Sequence, residues 1–385
     1  MRIVYVYPQI AVQGGVERIL IDKMNLLSAQ SGYDIHIVTY DQGEHPLAFA
    51  LSERVRHTDL QVRTYTQYQY RGLRRLWEGV KCSCRLRSRM KRVLRQLAPD
   101  VVVCTTNGPL SLLHTLQGKT PLVVESHGGY HHLIDYADLS FAHRLDIRRR
   151  YRVLHQVSAI VTLTQQDAQR WRSQYAQVHV IPNIVHLNVS GRYAAGHSRR
   201  VIFVGRFAPQ KGIPQLLAVW RLVYERHPDW QLHLYGSGDE RGLHEEAGIV
   251  VHEPDADIFP HYCESDLLVL TSRWEPFGLV LPEAMSCGLP VVSFEGDGPC
   301  DIITDGVDGF LVPQGDTAAF ARRVCQLIEE PALRKQMASA AIASSSRYSA
   351  ERIVPQWKEL FENLNHNRYN KRYARTDGPI AEPLL

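Results

Sequence analysis

A pattern that occurs twice limits the fold of this chain more than any other feature. Each copy has a short apolar run, a turn that contains glycine, and apolar residues at helical spacing. The first copy covers Arg2–Tyr7, a turn ending in Gly14-Gly15, and a helix that closes before Gly32. The second covers Arg200–Val204, the turn 205–212 and a helix from Ile213 to about Glu225. Because a buried strand, a glycine turn and a helix open a parallel α/β unit, the repeat predicts two such domains with a ligand-binding cleft between them.

The length of 385 residues is enough for two domains, or three at most. We assign residues 1–185 to an N-terminal Rossmann-like domain and residues 186–348 to a C-terminal one, because 184–199 contains two glycines and no clear periodicity. Residues 349–365 are predicted to form one more helix, and residues 366–385 a mobile tail. The first turn lacks a complete G-x-G-x-x-G, which argues against an NAD-dependent oxidoreductase.

Cysteine usage and apolar runs bear on the compartment. Seven cysteines, an odd number scattered along the chain, indicate a reducing compartment rather than a disulfide framework. The pair Cys82-x-Cys84 has no second Cys or His pair nearby, so we expect no metal site there. The apolar start at residues 3–7 stops at Pro8 and is too short for a signal peptide. No apolar run approaches the roughly 20 residues of a membrane-spanning helix, so we expect a cytoplasmic protein.

The stretch Glu275-Pro-Phe-Gly-Leu-Val-Leu-Pro-Glu283 carries two acids in and just past a predicted strand-to-helix turn. A helix that starts near residues 277–279 offers unpaired backbone N–H groups, which suit a phosphate. Glu275 lies before that helix, and Glu283 lies a turn or more inside it. Since a carboxylate can accept hydrogen bonds from a vicinal diol, the stretch predicts a sugar, a diphosphate and a ribose bound in one line.

A second group of polar residues follows the strand 200–204, in Gly205-Arg206-x4-Lys211-Gly212. Arg206 can donate in a fork and Lys211 supplies a compact charge, so the pair fits a diphosphate. The turn that begins at Gly236 is of the kind that passes close to a nucleotide. Asp255-Ala-Asp257 lies in a polar loop rather than at the end of a buried strand, and we do not interpret it as a metal-binding D-x-D motif.

The spacing E-x7-E, followed by Ala-Met-Ser-Cys-Gly-Leu-Pro-Val-Val at 284–292, resembles the signature of the retaining family 4 glycosyltransferases, or glycosyl transferases group 1. The resemblance covers about residues 1–365 and is more specific in the second half. It implies the GT-B fold, in which two Rossmann-like α/β/α domains face each other across a cleft. It also implies an acceptor-side N-terminal domain, a nucleotide-sugar-binding C-terminal domain, and a last helix that crosses back to the first.

The resemblance implies a role for each residue that matches the family motifs. Arg206 and Lys211 would hold the donor diphosphate and stabilise the leaving group, and Glu275 would orient the sugar hydroxyls. Glu283 would bind the ribose, and His127, in Glu125-Ser-His-Gly-Gly129, would contact the sugar from the other domain. Further donor contacts are expected from backbone groups or glycine turns at Gly14, Gly15, Gly205, Gly236, Phe277, Gly278 and Leu279. Tyr130, His131 and His132 are candidates for an acceptor cleft.

The implied activity is transfer of a hexosyl or N-acetylhexosaminyl group from a nucleotide diphosphate sugar, with UDP favoured over GDP, to an acceptor hydroxyl. The acceptor would be a saccharide or lipid-linked saccharide in cell-surface polysaccharide or lipopolysaccharide assembly. No cofactor and no divalent metal are expected, because the cations of the chain supply the charge. Two alternatives remain open: a nucleotide-sugar epimerase or hydrolase of the same fold, and a non-catalytic subunit that binds nucleotide sugars.

Residues 71–95 hold ten Lys and Arg residues against one acid, Glu78, with apolar residues interleaved at roughly helical intervals. A basic amphipathic stretch of this kind suits an anionic membrane surface, which would place the protein at the inner face of the cell membrane. The alternative is a solvated helix that packs only its apolar side on the domain. Binding to nucleic acid is not expected, since the chain carries no recognised nucleic-acid motif.

Overall fold

The computed structural model describes residues 1–12, 14–130, 141–244 and 246–373, without the side chains of 141–147 and 369–373. His131, His132 and residues 374–385 therefore lie outside the described residues. The chain forms two compact units. Unit 1 comprises residues 1–162, 168–181 and 354 onwards, and unit 2 comprises residues 163–167 and 182–353.

Unit 1 is built on a seven-stranded sheet in the order β3-β2-β1-β4-β5-β6-β7, and every neighbouring pair is parallel. The strands are β1 (Arg2–Tyr7), β2 (Asp34–Thr39), β3 (Arg56–Asp59), β4 (Val101–Thr105), β5 (Leu122–Glu125), β6 (Ala159–Thr162) and β7 (Val178–Val180). The helices are α1 (Gly15–Ser28), α2 (Gly72–Leu97), α3 (Leu110–Leu116), α4 (Phe141–Leu154) and α5 (Gln165–Arg172), with a 3₁₀ helix at Thr64–Gln69. Chain order reverses between β1 and β4, the point where such sheets bind ligands.

Unit 2 repeats this plan with six parallel strands in the order β10-β9-β8-β11-β12-β13. The strands are β8 (Arg200–Val204), β9 (Gln231–Tyr235), β10 (Ile249–His252), β11 (Leu267–Leu270), β12 (Val291–Phe294) and β13 (Gly309–Val312). The helices are α6 (Ile213–Arg226), α7 (Phe259–Cys263), α8 (Val280–Ser286), α9 (Asp297–Ile302), α10 (Thr317–Glu329) and α11 (Pro331–Ser345), with 3₁₀ turns at Pro209–Lys211 and Ser346–Tyr348. The central strands are buried on both faces, which explains their continuous apolar sequences.

The last helix, α12 (Ala350–Tyr373), packs into unit 1 along most of its length. The Trp357 ring lies under the Lys23 ammonium at 4.0 Å, and Glu362 accepts a hydrogen bond from the Tyr33 hydroxyl at 2.9 Å. The helix runs past residue 365, where the sequence predicted its end. Polar residues alone do not stop a helix, and neither glycine nor proline occurs between Pro355 and Gly378.

The predicted α/β class is confirmed, and the two predicted opening runs, 2–7 and 200–204, form β1 and β8. The edge strands β3 and β10, whose residues are half-buried or exposed, were not predicted. The sequence of β3, Arg-His-Thr-Asp, carries no apolar run, whereas the short run Ile-Val-Val of β10 was overlooked. All seven cysteines are free thiols. Within the described part of the chain, every helix is too short or too polar to cross a bilayer.

Candidate active site

In unit 2 the two loops singled out from the sequence follow neighbouring strands. The loop with Arg206 and Lys211 follows β8, and the loop with Glu275 follows β11, its partner in the sheet. Chain order reverses between these two strands. The carboxyl ends of parallel strands at such a reversal form the crevice that binds ligands in open α/β sheets. The fold therefore brings together residues that are 64 or more positions apart in sequence.

Lys211 and Glu275 form an ion pair in which the ammonium nitrogen lies 2.5 Å from Oε2. Their side chains are only 14% and 10% exposed, so the pair is largely withdrawn from water. Ser272 donates to the same carboxylate oxygen at 3.1 Å. Sequence analysis did not identify Ser272, because a serine at a strand end carries no distinctive signal. The arrangement holds Glu275 in one orientation and keeps the Lys211 cation at the carboxyl ends of β8 and β11.

Arg206 presents the opposite situation, because its side chain is exposed. Among the described residues, its guanidinium has no hydrogen-bond or ion-pair partner. In the same part of the chain, the backbone N–H groups of Phe277, Gly278 and Leu279 donate to no protein acceptor either. A cation and three amides without protein acceptors can receive the oxygens of an anionic group such as a phosphate.

The backbone of the 275–279 loop is fixed from several sides. Gly278 has φ +90°, a left-handed value that turns the chain between Glu275 and α8. The amide of Gly298 donates to the Glu275 carbonyl at 2.9 Å. A Cβ at Gly298 would lie 1.9 Å from the Phe277 carbonyl oxygen, so only glycine allows this approach. The backbone around the three amides without protein acceptors is therefore fixed by contacts within unit 2.

Glu283 lies in the first turn of α8, which begins at Val280 rather than at residues 277–279. Its side chain is buried, and its Oε2 accepts a hydrogen bond from the Tyr262 hydroxyl at 3.3 Å. Tyr262 belongs to α7 and was not identified from the sequence. A buried carboxylate held by a tyrosine has a defined direction, which a hydroxyl-binding group requires.

Gly205 and Gly236 follow the adjacent strands β8 and β9 and pack against each other. A Cβ at Gly236 would lie 2.0 Å from the Gly205 carbonyl oxygen. The close approach of the two loops therefore requires glycine at these positions. The Phe207 and Gly238 backbones continue this approach as an isolated parallel bridge. Sequence analysis predicted these glycines as donor contacts, and that role stays a prediction.

An aromatic stack that the sequence did not predict covers the ends of β9 and β10. The Tyr235 and His252 rings lie parallel at 4.3 Å between centroids, and His261 stacks on Tyr235 at 4.4 Å. Burial, together with the charge of Arg200, lowers the pKa of His233 in the same group to about 4. His233 is therefore neutral at physiological pH, which allows its close contact with His252, 3.0 Å between ring nitrogens.

Two groups bear on metal binding in unit 2. Asp255 Oδ2 lies 2.9 Å from His261 Nε2, and Asp255 Oδ1 accepts a hydrogen bond from the Asp257 amide at 2.9 Å. These contacts form a local turn, and the two carboxylates are not paired for a metal. His227, Cys325 and Glu329 are the one combination within the described chain close enough to share an ion. Glu329 in that cluster already binds Arg226 at 2.9 Å, and the positive charge of the guanidinium disfavours a metal cation beside it.

In unit 1, Gly14 precedes α1 and Gly15 is its first residue, directly after the β1 loop. A Cβ on Gly15 would meet open space, whereas one on Gly14 would meet the Glu17 side chain. Glu17 itself is held by the Tyr7 hydroxyl at 3.0 Å. The turn therefore has room on its outer side, consistent with approach of a ligand to the backbone.

His127 follows β5 in unit 1, and its side chain is 7% exposed. Its Nε2 lies 3.1 Å from Glu125 Oε2, and the Lys23 ammonium binds the same oxygen. Burial would raise the pKa of Glu125, but Lys23 and His127 outweigh it and the net shift is downward. Burial also lowers the pKa of Lys23, against the pull of Glu125. Tyr130, which the sequence suggested as a residue of the acceptor cleft, is buried against Trp171 at 5.3 Å between ring centroids.

Comparison with known proteins identifies both halves of the chain. The family model of Glycosyltransferase Family 4 matches residues 13–189, and that of Glycosyl transferases group 1 matches residues 198–330. A glycosyltransferase of Haemophilus influenzae, named as uncharacterized, is 25% identical over 361 residues, 90% of this chain and 96% of that protein. The amylovoran biosynthesis glycosyltransferase AmsD of Erwinia amylovora is 32% identical over 218 residues, which cover 52% of this chain and 61% of AmsD.

A solved structure supports the same assignment at the level of the fold. The crystal structure of TarM matches with a TM-score of 0.74 at 16% identity, covering 94% of this chain and 98% of TarM. With the two parallel-sheet units, this likeness gives the GT-B fold. The chain therefore belongs to the family 4, or group 1, glycosyltransferases, and the protein is a glycosyltransferase of GT-B fold.

Proposed function

We propose that this protein is a retaining glycosyltransferase that uses a nucleotide diphosphate sugar, with UDP as the favoured nucleotide. The hexosyl or N-acetylhexosaminyl group would pass to a hydroxyl of a saccharide or lipid-linked saccharide during assembly of cell-surface polysaccharide or lipopolysaccharide. The observation that carries the proposal is the pairing of Lys211 with Glu275 at the ends of neighbouring strands β8 and β11, on loops that also hold the Arg206 guanidinium and the 277–279 amides, none of which has a partner among the described residues.

The charges of unit 2 suit the departure of a diphosphate. As the bond between the sugar C1 and the diphosphate oxygen breaks, negative charge develops where Arg206, Lys211 and the loop amides can receive it. The acceptor oxygen then bonds to C1 on the same face, and its proton passes to the departing diphosphate. Glu275, already bound to Lys211 and Ser272, is engaged as an orienting group rather than poised as a nucleophile. No divalent metal has a part in this scheme.

The names of similar proteins support the setting and the nucleotide. AmsD is named for amylovoran biosynthesis, and LpsE of Rhizobium meliloti, 34% identical over 42% of this chain, is named for lipopolysaccharide core biosynthesis. S. aureus TarM has been crystallised as a mutant together with UDP. These names favour a UDP-sugar and a cell-surface acceptor here.

A donor panel tests the proposal. The protein is incubated in EDTA with UDP- and GDP-sugars, with and without lipid-linked saccharide, and the products are followed by NMR. We expect UDP release to rise with acceptor and the new linkage to keep the anomeric configuration of the donor. Conversion of donor without any need for acceptor would indicate the epimerase or hydrolase alternative. Binding without turnover would indicate a non-catalytic subunit, and dependence on added Mg²⁺ or Mn²⁺ would contradict the metal-free scheme.

Glu283→Gln is expected to weaken binding of free UDP about tenfold, because the amide replaces a carboxylate that accepts from both ribose hydroxyls. The measurement is titration calorimetry with UDP beside a melting curve of the protein alone. Tyr262→Phe is the comparison variant, since it removes the hydrogen bond to Glu283 but leaves the carboxylate. If Glu283→Gln lowers the melting temperature but binds UDP normally, Glu283 has a structural role only.

We also propose that α2 binds an anionic membrane surface. It packs into unit 1 through Cys82 near its middle and through Met90, Val93 and Leu94 in its C-terminal half, all of which are buried. Its N-terminal half carries a second apolar stripe that points to solvent, with Leu73, Leu76, Trp77 and Val80 exposed by 84%, 67%, 61% and 60%. The i, i+3, i+4, i+7 spacing places these four on one face. A helix that only packed on its domain would not need this second stripe.

The charges beside the stripe favour lipid as the partner. Arg74, Lys81, Arg85 and Arg92 recur at seven, four and seven residues, the spacing of a neighbouring helical face. Tyr70 and Trp77 lie under the Arg74 and Lys81 cations at 4.3 and 3.4 Å. Trp and Tyr rings flanked by cations are typical of the headgroup region of a bilayer. Such a surface would hold the enzyme beside a lipid-linked acceptor.

A further inference from the structure

Two thiols lie beside the buried carboxylate of unit 2. Tyr262 and Cys263 are the last two residues of α7, and Cys287 directly follows α8. Cys287 lies four positions after Glu283, which puts both side chains on the same side of the helical turn. The Tyr262 hydroxyl donates to Glu283 Oε2 at 3.3 Å, so this side of α8 faces α7. The thiols of Cys263 and Cys287 are in contact at the same junction.

A short segment of the chain holds both cysteines at the ends of their helices. The Cys263 thiol donates to the Arg192 carbonyl at 3.2 Å, and the Ala194 amide donates to the Cys287 carbonyl at 2.9 Å. Because Arg192 and Ala194 are only two positions apart, they bring the two cysteines together independently of the side chains of α7 and α8. The thiol contact is therefore part of a junction that is fixed from two directions.

The two thiols differ in their access to solvent. Cys263 is half-buried, whereas the Cys287 side chain is fully buried. Burial raises the pKa of the Cys287 thiol and Cys263 adds to the shift, so Cys287 stays protonated at physiological pH. An oxidant in solution therefore reaches Cys263 first and leaves Cys287 as the adjacent thiol. An accessible thiol beside a second, resolving thiol is typical of cysteines that form a disulfide through a sulfenic acid.

We propose that Cys263 and Cys287 form a reversible disulfide that links α7 to α8 when the protein meets hydrogen peroxide. Peroxide oxidises the Cys263 thiolate to a sulfenic acid and releases hydroxide. The Cys287 sulfur then attacks the Cys263 sulfur: the S–S bond forms, the S–O bond breaks, and the departing hydroxide takes up the Cys287 proton as water. In sum, two thiols and one peroxide give one disulfide and two waters. A dithiol reductant reverses the step by thiol–disulfide exchange.

The disulfide also changes the nucleotide site, a consequence that rests on the proposed function. A covalent S–S bond is shorter than a contact between two thiols, so the end of α8 must move towards α7, one turn after Glu283. The movement alters the direction of the carboxylate that Tyr262 holds in the reduced protein. Because a misplacement of about 1 Å can cost as much as ~100-fold, we expect UDP to bind about tenfold more weakly after oxidation.

The full chain is treated with hydrogen peroxide in its native state, the remaining thiols are blocked, and disulfides are mapped by mass spectrometry. We expect a Cys263–Cys287 cross-link that dithiothreitol removes, and a UDP affinity, measured by calorimetry, that falls and recovers with it. Cys263→Ser keeps a donor for the Arg192 carbonyl and should prevent both effects. Cys84→Ser is the matched control, since it removes an exposed thiol of α2 and should prevent neither.

Oxidation of Cys263 to the sulfinic acid without a cross-link would overturn the inference. So would a cross-link that leaves the UDP affinity unchanged, or a loss of affinity that persists in Cys263→Ser. Cys287→Ala is a second variant: it should bind UDP as the wild type does, and peroxide should leave its Cys263 as a sulfenic acid that dimedone traps. The cross-link is read without nucleotide, so it is decided even if the reduced protein binds no UDP, a result that contradicts the proposed function instead.

Discussion

Arg206→Ala is expected to lower the rate of sugar transfer by ~100-fold or more, while the protein should fold and melt as the wild type does. The guanidinium is exposed and binds no other described side chain, so its loss leaves no protein group unpaired. The whole effect should therefore arise where charge develops on the leaving diphosphate. Removal of one such donor from a catalytic site typically costs about 3–4 kcal/mol, which corresponds to 100-fold or more in rate.

Loss of the Lys211 charge should lower the rate as much as loss of Arg206, but its ion-pair partner Glu275 must be substituted with it. Lys211→Met alone leaves the Glu275 carboxylate, whose side chain is 10% exposed, bound only by the Ser272 hydroxyl. In Lys211→Met/Glu275→Gln both charges disappear together, and a loss of ~100-fold or more then reports on the donor site, the diphosphate contact of Lys211 together with the sugar contact of Glu275, rather than on folding. The measurement is kcat by release of free nucleotide at saturating donor, with melting temperatures for each variant.

Arg226→Ala is the matched control for this experiment, because it removes an exposed arginine of unit 2 that is paired to Glu329 at the C-terminal end of α6, the end opposite the 205–212 loop. It should leave kcat within about twofold, as surface pairs contribute little. Rates near the wild-type value in Arg206→Ala and in the Lys211 double variant would remove the diphosphate role from both residues. The assigned fold would stand, but the proposed chemistry would not.

Reversal of three charges on α2 is expected to release the protein from anionic vesicles. Each basic side chain near such a surface contributes about 1 kcal/mol, so Arg74→Glu/Arg85→Glu/Arg92→Glu should lower the partition coefficient at least ~100-fold. Leu73→Ser/Trp77→Ser should also weaken binding, since it removes apolar surface that would enter the headgroup layer. Co-sedimentation with vesicles of about 30% anionic lipid measures both.

The control reverses three exposed arginines of unit 2, Arg221, Arg241 and Arg322, which changes the net charge equally. If that variant is released from vesicles as readily as the α2 variant, binding depends on net charge and not on α2. Failure of the wild type to bind such vesicles at all would end the membrane proposal. Raised salt should weaken binding of the wild type more than that of the serine variant.

Much of the candidate site could be predicted because its signals are local. Glu275 and Glu283 lie eight positions apart on one turn, and Arg206 and Lys211 lie five apart on another. The strands before them are buried on both faces, so their apolar runs are unambiguous. Edge strand β3 was missed because it is only partly buried and polar throughout. Edge strand β10 was missed although it begins Ile-Val-Val, because the run is short. The helix α2 was recognised as basic and amphipathic, but not as having two apolar stripes.

The sequence by itself determined the two parallel α/β units, the loops that carry the charged residues and the family, since each depends on residues close together in the chain. Only the tertiary structure decided which charges are paired. Lys211 meets Glu275 across 64 positions and Lys23 meets Glu125 across 102. The physical reason is that a parallel sheet aligns the ends of strands distant in sequence, so the partner of a buried charge is set by strand order and not by local pattern.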